Sequence, residues 1–289
     1  MSASQPTAGE LYDRMLQAFQ EQKMEQAEAE TAAIIAEMLN CSRLQAKLRR
    51  DEPLPDGLFE QGLQIIEKRL NNEPWQYIFE RAYFRDLTLK VTPDVLIPRP
   101  ETELLVDWCL QYLPENGALL DAGTGSGAIA LSVATERQDA SVTACDISDS
   151  ALKIARYNAG YAAPGRVKFL HSDLLSAFKD EKFDIIAANL PYVTENEYTF
   201  LDKSVRDFEP KLALTGGNDG LDLIRKLIHQ APKHLNHRGA IILEMSPEQT
   251  GPIAELLAGE LCWCAIEIIR DYTQRERFVA ARLRDALIV

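Results

Sequence analysis

The chain has 289 residues, 46% of them hydrophobic, enough to bury one large core or two ordinary ones. Its 31 basic against 44 acidic residues give a net charge of −13, a surface that repels a phosphate backbone and disfavours direct nucleic-acid binding. No run approaches the ~18 apolar residues of a membrane span, and the start MSASQPTAGELYDR lacks a basic region followed by an apolar one, which predicts a cytoplasmic protein without membrane contact.

From residue 8 to about 72 apolar residues recur at helical spacing: Leu11, Met15 and Phe19, then Ile35, Met38 and Leu39, then Phe59, Leu63, Ile66 and Leu70. This predicts a helical bundle as a first domain over 1–72, interrupted by the turn-rich RRDEPLPDG. The runs in YIFERAYFRDLTLKV, closed by TPD, predict a β-hairpin in a linker over 73–96. In LIPRPETE, Pro100 at a first helical position with Glu101 and Glu103 in the first turn reads as a helix start, with the role of Arg99 open.

Over 97–289 strands and helices alternate. GALLDAG precedes a helix from Ser126, SVTACDI precedes a helix from Asp149, and RVKFLHSD and KFDIIAANL follow. A helix over 219–235, the strand GAIILEM, a helix after Pro247 and two closing strands near 262–269 and 276–283 complete the pattern. Such alternation predicts an α/β, Rossmann-like domain with a mainly parallel seven-stranded sheet, covered on both faces, whose ligand sits beyond the carboxyl ends of the strands. Five cysteines without a CxxC pair read as reduced thiols in the core, and four scattered histidines predict no metal site.

LLDAGTGSGAIAL carries the first chemistry: an apolar strand ending at Asp121, then Gly123, Thr124, Gly125, Ser126 and Gly127 leading into a helix. Glycines permit a tight turn and let a ligand touch backbone N–H groups. Asp146, closing the next strand, is placed to accept hydrogen bonds from a ribose diol. Gly123, Gly125 and Ala128 also satisfy a dinucleotide fingerprint, so the loop alone leaves the cofactor open. Asp121 before the glycines, a third strand-end acid at Asp173 beside Leu174, and NLPY ending the fourth strand favour S-adenosylmethionine, because acids suit its cationic groups and repel a pyrophosphate.

The NLPY corner, Asn189 to Tyr192, supplies what a poor nucleophile needs. The Asn189 side-chain oxygen and a main-chain carbonyl near Leu190 can accept both N–H atoms of a planar amide or amino group and aim its lone pair at a methyl group. Pro191 fixes φ and turns the chain, and Tyr192 can stack on the flat acceptor. The structural alternative is a strand-ending turn with Tyr192 packed in the core. No general base is required, because an N-methylated, protonated amide gives its proton to water.

These residues resemble class I S-adenosylmethionine-dependent methyltransferases whose fourth strand ends in (N/D/S)-x-P-(Y/F/W). LIPRPETE, FEPKLALTGGNDGLDLI, LEMSPEQ and RDYTQRERFVAAR are similar to stretches of the release-factor glutamine methyltransferase family, PrmC. The resemblance covers nearly the whole chain. It implies methylation of the N5 atom of the glutamine in the Gly-Gly-Gln loop of class 1 peptide chain release factors, with the helical domain docking the release factor. It places the cofactor on Gly123 to Gly127, Asp146 and Asp173–Leu174, and the glutamine on Asn189, Leu190, Pro191 and Tyr192. Leu190 stands where that family usually has proline, a change that keeps the main-chain carbonyl. An N6-adenine methyltransferase acting on nucleic acid is the alternative, and it calls for a basic cleft.

Overall fold

A capping box opens the first helix: Thr7 Oγ1 accepts from the Glu10 N–H at 3.2 Å while the Glu10 carboxylate accepts from the Thr7 N–H at 2.9 Å. The computed structural model describes residues 5–284, so 1–4 and 285–289 of the expected domain spans lie outside the described residues. The chain divides into two units between Glu80 and Arg81.

The first unit holds α1 (Ala8–Glu21), α2 (Ala27–Met38), α3 (Arg43–Leu48), α4 (Leu58–Leu70) and the single turn α5 (Trp75–Ile78). Leu11, Met15, Phe19, Ile35 and Ile66 of the predicted stripe form its core, with Leu39, Phe59 and Leu63 packed at the edge. Leu70 ends α4 exposed. Arg69 is buried and pairs with Glu30 of α2, the partner that burial of a guanidinium requires.

The second unit opens with the antiparallel pair β1 (Arg81–Phe84) and β2 (Leu87–Lys90). Then come α6 (Thr102–Tyr112), β3 (Ala118–Ala122), α7 (Ala128–Glu136), β4 (Ser141–Asp146), α8 (Asp149–Ala162) and β5 (Val167–His171). After these run β6 (Phe183–Ala188), α9 (Glu195–Tyr198), α10 (Lys203–Arg206), α11 (Asp222–Gln230), β7 (Leu235–Glu244), α12 (Pro247–Gly259), β8 (Trp263–Arg270) and β9 (Glu276–Leu283).

The hairpin is stapled to this unit. Phe84 and Leu89 share a core with Leu105 and Leu131, and the buried Asn158 amide accepts from Lys90 N at 2.7 Å and donates to Lys90 O at 3.0 Å and Ser126 O at 2.9 Å. The expected linker span 73–96 is therefore divided, 73–80 lying in the first unit and 81–96 in the second.

Two helix starts fall later than the sequence predicts. Gly127 takes φ +90° and caps α7, so that helix begins at Ala128 rather than Ser126. Pro100 precedes the helix, because a tight turn from Arg99 O to Thr102 N at 3.1 Å comes first and α6 begins at Thr102. The helix expected over 219–235 is shorter too: α11 is followed by a 3₁₀ turn over Ala231–Lys233 that carries Pro232.

The seven-stranded sheet runs β5-β4-β3-β6-β7-β9-β8. Its first five strands in that order are parallel, while β9 pairs antiparallel to both β7 and β8. Alternate residues point to opposite faces: Leu120, Ile186 and Ile241 join the core under α11 and α12, whereas Leu119, Ile185 and Ile242 join the core under α6, α7 and α8. Burial of both faces explains the near-continuous apolar strands. The order reverses at β3, with β4 and β5 on one side and β6 and β7 on the other, which opens a crevice at the carboxyl ends of β3 and its neighbours.

Candidate active site

That crevice holds a cavity of about 350 Å³, bounded by segments 93–102, 123–129, 146–151, 172–174, 189–191 and 210–213. Its floor begins with the turn after β3. Gly123 N and Thr124 N both donate to Cys145 O, at 2.9 and 3.0 Å, which binds this turn to the end of β4. Gly123, Thr124, Gly125 and Ser126 line the cavity, whereas Gly127 lies beneath it against Leu131 and Ala155. Gly125 takes φ +54° with open space above it, the cradle a ligand needs to approach the backbone.

Asp146 ends β4 at the cavity wall. One carboxylate oxygen accepts from Gly125 N and the other from Ser148 N, each at 2.9 Å. Each oxygen keeps a further lone pair, so the fixed carboxylate can accept from two neighbouring hydroxyls. Asp173 and Leu174 also border the cavity, as does Ile147. Asp173 Oδ2 accepts from Lys226 Nζ at 2.5 Å on the exposed side, and Leu174 takes φ +51°.

Asp121 has a different place from the one expected. It is the fourth residue of β3 rather than its tip, wholly buried, and does not line the cavity. Its Oδ2 accepts from Thr124 Oγ1 at 2.6 Å and Ala130 N at 3.1 Å, so it braces the glycine turn from behind. Its Oδ1 is buried without a partner among the described residues. Burial pushes the carboxyl up to about 7, against the pull of the Thr124 and Ala130 hydrogen bonds.

The NLPY corner follows β6. Asn189, Leu190 and Pro191 line the cavity. Asn189 Nδ2 donates to Thr102 Oγ1 at 3.1 Å, and Thr102 Oγ1 donates to Glu244 Oε2 at 2.8 Å. Thr102 and Glu244 are both buried, and burial raises the Glu244 carboxyl to about 7 although Thr102 and Arg277 favour its charged form. Tyr192, expected to stack on the acceptor, does not line the cavity: its ring packs on the core beside β7, and burial with nearby Glu244 pushes its hydroxyl up to about 12.

Two glycines of TGGNDG clamp the back of this corner. A side chain at Gly216 would stand 2.3 Å from Pro191 O, and one at Gly220 would stand 2.0 Å from Tyr192 O. Gln249 Nε2 donates to Tyr192 O at 2.9 Å and Asp219 O at 3.2 Å, while its own oxygen accepts from Ser246 N at 3.1 Å. Arg99 spans the rim to the buried Glu209 at 2.6 Å, and Glu209 also accepts from Ile97 N at 3.1 Å.

Sequence reasoning thus missed Thr102, Glu209, Glu244 and Gln249 as parts of the site. Their one signal was residence in LIPRPETE, FEPKLALTGG and LEMSPEQ. Arg99 is the only basic side chain among the described lining residues, against Asp94, Asp146 and Asp173. The donor set suits a ribose bound to a cationic group better than a pyrophosphate. Among the described residues no cluster could hold a metal, and no helix is long and apolar enough to cross a membrane.

Family models match two segments: the PrmC N-terminal domain over residues 10–79 and the methyltransferase small domain over 100–216. The chain is 41% identical over 238 residues to the release factor glutamine methyltransferase of Neisseria gonorrhoeae, covering 82% of this chain and 86% of that protein. It is 35% identical over 272 residues to the release factor glutamine methyltransferase of Nitratidesulfovibrio vulgaris, covering 90% and 92%. A methyltransferase structure from Pyrococcus furiosus shares the fold, with a TM-score of 0.54 at 19% identity over 77% of this chain and 99% of that one.

Proposed function

Because this chain belongs to the release factor glutamine methyltransferase family, we propose that it methylates the N5 amide nitrogen of the glutamine in the Gly-Gly-Gln loop of a class 1 peptide chain release factor. S-adenosylmethionine, when bound, supplies an electrophilic methyl group whose departing electron pair stays on sulfur. The residues present suit that cofactor. Asp146 would take the ribose hydroxyls, the Gly123–Gly125 backbone would lie under the amino-acid part, and Ile147 and Leu174 would flank the base.

The observation that carries the reading is the Asn189 amide. Its nitrogen is committed to Thr102, so its oxygen is the group left to accept from an incoming NH2, in a cavity continuous with the glycine cradle. The main-chain carbonyl near Leu190 would take the second N–H, holding the amide nitrogen with its lone pair turned inward. Orientation of this kind can supply ~7–11 kcal/mol in favourable cases. The product loses its extra proton to water, so the step asks no base of the described lining residues. Methylation of adenine in nucleic acid is disfavoured by the net charge of −13 and by the acidic lining.

The test uses purified protein, methyl-labelled S-adenosylmethionine, and a release factor or its loop Gln→Ala variant. Label is expected on the intact release factor alone. Equal labelling of the variant, or labelling of RNA instead, overturns the reading.

A further inference from the structure

Asn189 can present either end of its carboxamide to the cavity, and only the oxygen serves an incoming amide. What decides between them is a hydroxyl beside it on the cavity wall and a carboxylate behind that hydroxyl. Thr102 Oγ1 stands 3.1 Å from Asn189 Nδ2 and 2.8 Å from Glu244 Oε2. A hydroxyl has one hydrogen to give. When it is given to the carboxylate, Thr102 can only accept from its other neighbour, and Asn189 must turn its NH2 inward and its oxygen out.

We propose that Thr102 and Glu244 are positioning residues for methyl transfer, a buried relay that sets which end of the Asn189 amide meets the acceptor. This rests on the glutamine reading above. Glu244 touches neither cavity nor acceptor: it ends β7, next to β6, where Ala188 is paired with Leu243, and it acts only through the hydroxyl on α6. The relay therefore joins the start of α6 and the end of β7 to the residue that follows β6.

The relay has a sense, and the sense depends on charge. An ionised Glu244 is acceptor-only, so the hydroxyl points at it. Once protonated it can donate to Thr102 instead, which frees the threonine hydrogen for the Asn189 oxygen and lets the amide turn its NH2 towards the cavity. The groups that face Glu244 are Thr102 and Glu101 at the start of α6, Arg99, Arg277 of β9 and Tyr192; the two arginines favour its charged form and Glu101 opposes it. Burial outweighs the arginines and brings its titration to about 7.

The experiment compares full-length wild type, Thr102→Val, Thr102→Ser and Glu244→Gln on a release factor between pH 5.5 and 9, with cofactor affinity measured by calorimetry. Thr102→Val, nearly isosteric, is expected to lower kcat by ~10–100-fold with cofactor Kd within about threefold, and Thr102→Ser to restore it. Wild-type kcat/KM is expected to fall as pH drops through about 7, and Glu244→Gln to remove that limb while lowering the plateau. Full activity in Thr102→Val, no rescue by serine, or an unchanged low-pH limb in Glu244→Gln overturns the relay. Failure of the glutamine reading shows separately, as wild-type labelling that ignores the acceptor glutamine.

Discussion

The carboxyl ends of β4 and β6 border one cavity but are made firm by different means. At β4 the work is done by main chain: Asp146 accepts two backbone N–H groups, and the glycine turn hangs from Cys145 O. At β6 it is done by side chains from afar, with Thr102 on the Asn189 amide, Gln249 on the Tyr192 carbonyl, and two glycines pressed against the corner. The first arrangement gives a grip that tolerates change in surrounding side chains. The second gives an oriented dipole whose direction depends on several residues at once.

Substitutions should therefore separate into two classes. Asn189→Ala is expected to have the largest effect, lowering kcat for the release factor by ~10²–10³ while leaving cofactor Kd within a few-fold. Single-turnover methylation and calorimetry measure the two quantities. Asp146→Ala should do the reverse, raising cofactor Kd by ~10–100-fold through loss of charge-assisted hydrogen bonds, with saturating kcat less affected. If both variants weaken the same quantity equally, the division between grip and orientation fails.

Gly220→Ala sharpens the contrast. The added methyl would meet Tyr192 O at 2.0 Å at a φ of +77°, so melting should show a loss of ~2–3 kcal/mol, with kcat falling further than cofactor affinity. Asp121 is expected to show in stability rather than in turnover. Its pKa rises on folding from the ordinary 3.8 to about 7, so the native state holds the proton more tightly between those values. Its contribution to stability is present below about pH 4 and lost as pH climbs through 7. Asp121→Asn, which cannot ionise, should gain on wild type by ~1 kcal/mol or more between pH 5 and 8, seen as a pH-dependent difference in denaturation midpoints.

Legibility in the sequence follows the same line. The glycine turn and the acid one strand later lie within 121–151, so local spacing brings out Gly123 to Ser126 and Asp146, all of which line the cavity. The corner is held by contacts between residues 87, 142 and 57 positions apart, Asn189 with Thr102, Thr102 with Glu244, and Gln249 with Tyr192. No local pattern reveals which of many polar residues meet across such distances. Tyr192 was given to the acceptor because a ring after proline at a strand end looks available; its ring packs against the core instead of lining the cavity, and Gly220 and Gln249 meet only its main-chain carbonyl. Asp121 was placed at a tip because strand ends are uncertain by a residue, and one residue in a strand changes the face a side chain serves. The alternation of strands and helices survived such errors because it depends on runs of apolar residues rather than on single positions.

The late position of Glu244 and Gln249 in the polypeptide has its own effect during synthesis. A nascent chain stopped ahead of them already contains every residue of the cradle, yet Asn189 has no downstream carboxylate to orient it and the Tyr192 carbonyl has no donor. Translation thus supplies the supports of the corner last, together with α12, β8 and β9, which complete the core under the sheet.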